Sequence, residues 1–161
     1  MHRKLGIFGA GLLAGALLLP ALFAGGALAV PPVTVHIIRH ESFAGFGSVV
    51  LEMQGRGSVS SLTGGGFLIF EFEPIGLRFE CAYDILGGSV DGASVTLFAT
   101  GTASPGCKLG RIQFGGGGIR LSANADLGTI SVDIEGDIGD VLGTFGTPLL
   151  SGPAVVIVSN A

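Results

Sequence analysis

Apolar side chains fall on every second position along most of this chain, and no other feature restricts the fold as much. In residues 129–135, Ile130, Val132 and Ile134 point one way while Thr129, Ser131, Asp133 and Glu135 point the other. The same beat separates Leu77, Phe79, Cys81 and Tyr83 from Arg78, Glu80, Ala82 and Asp84, and Ile119, Leu121 and Ala123 from Arg120, Ser122 and Asn124. A period of two belongs to strands with one dry and one wet face. Residues 33–38, 48–53, 67–72, 94–99, 111–114 and 154–158 follow the same grammar with more apolar character. Together these runs predict about nine short strands.

Glycine-rich stretches punctuate the runs: Gly55-Arg56-Gly57, Gly64-Gly65-Gly66, Pro74-Ile75-Gly76, Gly87-Gly88, Asp91-Gly92, Pro105-Gly106, residues 115–118 and Gly152-Pro153. Turn signals every 8–12 residues or so predict an all-β chain, either an antiparallel β-sandwich or a small β-barrel. Thirty glycines among 161 residues, without a Gly-X-Y period, exclude collagen and disfavour long helices. The nearest helical candidate, residues 138–145, is interrupted by Gly139 and Gly143.

The first 29 residues have a different character. Arg3 and Lys4 precede an apolar run over residues 5–23, and Ala27-Leu28-Ala29 offers the small-x-small pattern of a signal-peptidase site. Cleavage after Ala29 is expected, leaving residues 30–161 as a single secreted β domain. Left uncleaved, the same segment would serve as a membrane anchor, the only contact with a membrane that the sequence implies. A transmembrane barrel is disfavoured, because the chain has no Trp and one Tyr from which to build aromatic girdles. The expected location is secreted, periplasmic or cell-surface. In such an oxidising compartment, Cys81 and Cys107 are expected to form a disulfide.

Reactive chemistry is sparse. Beyond residue 29 there remain six basic side chains against 12 acidic ones, with no basic cluster, so a nucleic-acid partner is not expected. No Gly-x-Ser-x-Gly elbow occurs and no phosphate-binding glycine loop is complete, so neither a hydrolase nor a nucleotide is implied. His36 and His40 would lie on one side of a strand but about 13 Å apart, too far to share a metal. Asp133, Glu135, Asp137 and Asp140 put four carboxylates in eight residues. They form a weak candidate for calcium, or simply the wet face of a strand. Phe67, Phe70, Phe72 and Phe79 are candidates either for core or for one wall of an apolar ligand pocket.

The expected function is that of a secreted or cell-envelope structural or interaction module, neither an enzyme nor dependent on a cofactor. Its contact element is expected to be the strand carrying Val33, Val35 and Ile37, pairing through an open edge with a second copy or another envelope protein. The alternative is a small barrel that carries an apolar ligand.

Overall fold

In a computed structural model, described for residues 31–103, 106–114, 117–134 and 150–160, the strands form one antiparallel sheet. Five strands lead off as a meander: β1 (Val33–Phe43), β2 (Gly47–Ser58), β3 (Ser61–Phe72), β4 (Leu77–Asp91) and β5 (Ser94–Gly101). A short hairpin of β6 (Cys107–Leu109) and β7 (Ile112–Phe114) follows. The sheet is completed by β8 (Gly118–Asn124), β9 (Thr129–Ile134), β10 (Ser151–Pro153) and β11 (Val155–Asn160). One 3-10 turn, Glu73–Ile75, links β3 to β4. The signal segment, Glu135, Asp137 and Asp140 lie outside the described residues.

Nine strands follow one hydrogen-bonded path, β10-β9-β8-β5-β4-β3-β2-β1-β11. Its two end strands are consecutive in the chain, separated by Ala154 alone. One stretch of backbone therefore pairs first with β9, through Ser151–Ser131 and Pro153–Thr129, and then with β1, from Val155–Ile38 to Asn160–Val33. The sheet comes round on itself as a nearly closed barrel, with a seam where that stretch changes partners.

Alternation places the core. Val35, Ile37, Leu51, Met53, Leu68, Phe79, Leu97 and Leu121 all point inward and belong to one apolar cluster. Val35, Ile37, Met53, Leu62, Leu97 and Leu121 have no surface that a water molecule reaches from outside or from within. No water-sized void borders these side chains, so this part of the interior is filled as small barrels usually are. The outward positions of β1 to β4 carry His36, His40, Glu52, Arg56, Glu71, Arg78, Glu80 and Asp84.

Several glycines read as turns sit inside strands. Gly55 to Gly57 belong to β2, Gly64 to Gly66 to β3, and Gly87 and Gly88 to β4, while β2 turns into β3 at Val59-Ser60. The reason is the close approach of the neighbouring strand. A Cβ at Gly66 would collide with the Glu52 carbonyl and the Met53 sulfur, and one at Gly88 would sit 2.8 Å from Leu97 Cδ2. Here glycine makes room for a large neighbour instead of reversing the chain.

Candidate functional site

The meander fixes where β1 lies. Its inward residues continue the core from Val33 through Ile37, and the alternation then brings Arg39 and Glu41 to the inner side at one end of the barrel. The Arg39 side chain is only 3% exposed. Its Nε and Nη2 donate to Glu41 Oε2 at 3.1 and 2.6 Å. A buried guanidinium demands such a partner, because desolvating an isolated charge is costly. Gly152 of β10 lies over the guanidinium: a Cβ there would come within 3.1 Å of Nη2. Arg39 of β1 therefore reaches across the seam to β10, the opposite end of the hydrogen-bonded path. An open cleft of about 410 Å³ lies beside it, lined in part by His40, Glu41, Pro153 and Val155.

On the outer face of the same seam, β11 covers β1 only as far as Ile38. Among the described residues β11 pairs with β1 alone, and no described strand lies along its other edge. Val155 and Ile157, which point outward from it, are 56% and 48% exposed. Next to them on β1, His36 Nε2 and Glu52 Oε1 of β2 lie 3.1 Å apart.

This arrangement corrects the expectation for Val33, Val35 and Ile37. Their strand is not an open edge: β2 and β11 flank it on both sides, and all three side chains are core. Local pattern showed that the segment is a strand, but not which strands return to cover it. Among the described residues, the edge with no second strand is that of β11.

The four phenylalanines do not line one wall. Phe70 and Phe79 face each other in register inside the barrel, and Phe72 packs edge-on against Phe46 with ring centroids 4.8 Å apart. Phe67 has the opposite parity and lies outside, where with Ile69, Ala82 and Gly106 it lines a small groove of about 160 Å³. Beside the groove a ladder of alternating charge crosses three strands. Arg78 bonds Glu71 and, at 3.1 Å, Glu80, and Lys108 lies 3.7 Å from Glu80. Donating hydrogen bonds to the Glu80 and Glu71 carboxylates raises the pKa of Arg78, although at this exposed position solvent screens the gain.

Cys81 and Cys107 are bonded, directly opposite each other in the ladder that joins β6 to β4. Of the carboxylate group, Asp133 is described; it is exposed on β9, opposite Arg120 of β8. Among the described residues no three His, Cys, Asp or Glu side chains come together as a metal site. Sequence reasoning missed the Arg39–Glu41 pair, although counting by twos from Val33 would have placed both residues inside.

No protein-family description, curated protein or solved structure matches the chain.

Proposed function

We propose that this chain is an exported β-barrel module that works by contact with another protein through the outer face of its seam, without catalysis. The observation that carries this reading is that, among the described residues, the inward side chains pack without a water-sized void while one uncharged strand edge has no strand beside it. Exposed strand edges are ready templates for a partner's strand, and natural sheets usually protect them. Export is supported by the positive, apolar and small-residue order of residues 1–29 and by the Cys81–Cys107 pair. The alternative, carriage of an apolar ligand, would need a void. The apolar groove at Phe67, about 160 Å³, falls short of the roughly 300–1,000 Å³ typical of pockets for drug-sized ligands. The larger cleft of about 410 Å³ is open and lined in part by Arg39, His40 and Glu41, charged and polar groups unsuited to an apolar ligand.

Native mass spectrometry of the full chain expressed in an exporting host tests the reading. The expected result is a mass that lacks residues 1–29, rises by two hydrogens on reduction, and carries no small-molecule adduct. A stoichiometric apolar adduct would replace the contact reading with the carrier, and retention of residues 1–29 would replace export with anchorage.

A further inference from the structure

We infer that β11 pairs edge to edge, antiparallel, with β11 of a second copy about a two-fold axis, joining two barrels through one continuous sheet. This names the partner for the contact reading above and rests on it.

In an antiparallel ladder, every second residue turns its N–H and C=O to the same side. Along Val155–Asn160 one set is taken by β1 and the other lies on the edge away from β1, with no described strand to receive it. The β8–β9 turn meets this stretch only at its start, where Ala154 N donates to Gly128 O at 2.8 Å. The other end of the sheet is guarded, since β10 has three residues and contains Gly152 and Pro153. None of the usual protections appears in β11: no charge, no proline and no bulge interrupts Val155–Asn160.

Burial points the same way. Val156 and Val158 face inward but are only half-buried, whereas their ladder partners Ile37 and Val35 are completely buried. One more strand alongside would finish covering them. A second copy supplies a strand that fits. A two-fold axis at Ile157 sets Ile157 opposite its own copy, Val156 opposite Val158, and Val155 opposite Ser159. Both faces of the pair are then mostly apolar, and no charge meets its like. A strand bearing even one charge at its centre would repel itself in this arrangement.

Sedimentation of the full chain from micromolar to near-millimolar concentration is the test, with Ile157→Lys and Ile157→Glu as variants. Ile157 points outward and is half exposed, so both variants should keep the far-ultraviolet dichroism of the parent. The parent should dimerise, each variant alone should weaken the dimer at least about tenfold, and an equal mixture of the two should recover it by placing Lys opposite Glu. A parent that stays monomeric throughout overturns the inference, as does a dimer indifferent to both variants or a mixture no stronger than its components. A monomer without ligand adduct would sink this pairing while leaving the contact reading intact; a stoichiometric ligand would sink the contact reading itself.

Discussion

β1 and β11 lie side by side, and both are rich in β-branched residues, yet they occupy opposite situations. Val35 and Ile37 are sealed between β2 and β11, whereas Val156 and Val158, their partners across the ladder, remain half open. Nothing in the local pattern separates Val-Thr-Val-His-Ile-Ile from Val-Val-Ile-Val-Ser-Asn. What separates them is order around the barrel: β1 begins a meander that at once folds back on it, while β11 has one neighbour among the described strands. Whether a strand is an edge is a property of topology, and the energetic cost of altering it should follow topology too.

The largest effect that could break this comparison is a matched truncation. Ile37→Ala deletes buried methyl groups and leaves a cavity, for an expected loss of about 2–5 kcal/mol. Ile157→Ala removes the same atoms from a side chain already 48% exposed, and should cost less than about 1 kcal/mol in the monomer. Urea unfolding at a concentration low enough to suppress association measures both. Equal losses would mean that the edge of β11 is covered in solution.

The second discontinuity in the sheet sharpens the contrast, because it is stapled. Along one side of β4, β5 pairs with the upper part, from Tyr83 to Asp91, and β6 takes over at Cys81. The junction is bridged by the disulfide and by Thr102 N donating to Ala82 O at 2.9 Å. Only three residues of β6 meet β4, too few to hold the hairpin by ladder bonds alone. Replacing both Cys81 and Cys107 with Ala should cost roughly 3 kcal/mol, as expected for opening a closed loop of this length. The same unfolding curves would show it, and no loss would mean that the hairpin docks without its covalent tie.

The strand faces were legible in the sequence, because a packed interior forces the two-residue beat on Leu77 to Tyr83 and on Ile119 to Ala123 wherever one side is wet. The disulfide was legible from the cysteine count. Turns were less so: Gly64 to Gly66 carry the composition of a loop, but they lie where β3 passes so close to β2 that a Cβ at Gly66 would not fit. Phe67 was grouped with Phe70 by proximity in sequence, although one step of parity puts it outside. Arg39 escaped notice because an arginine among apolar residues reads as surface, and its pairing with Glu41 helps make burial tolerable. The seam was illegible in principle, since it joins residues 33–38 to residues 155–160 across almost the whole described length.

Tyr83 provides the smallest effect and tests how the wall and the seam are coupled. It lies in β4, paired with β3 on one side and β5 on the other, far around the barrel from β11. Burial raises its pKa well above the ordinary value of 10.0, because the phenolate would have to form away from water. The unfolded chain ionises near pH 10 while the barrel holds its proton, so the unfolded state gains from each further rise in pH. Stability is therefore untouched below about pH 10 and then falls by about 1.4 kcal/mol per unit until Tyr83 ionises in the folded state. Tyr83→Phe should remove this tyrosine component of the alkaline loss. The chain has one Tyr and no Trp, so ultraviolet absorbance follows this phenol alone. If the wall opens only when the whole barrel does, phenolate absorbance and the loss of β dichroism should rise together with pH. If phenolate appears first, β4 opens while the rest of the barrel holds, and the wall rather than the seam is the weaker region.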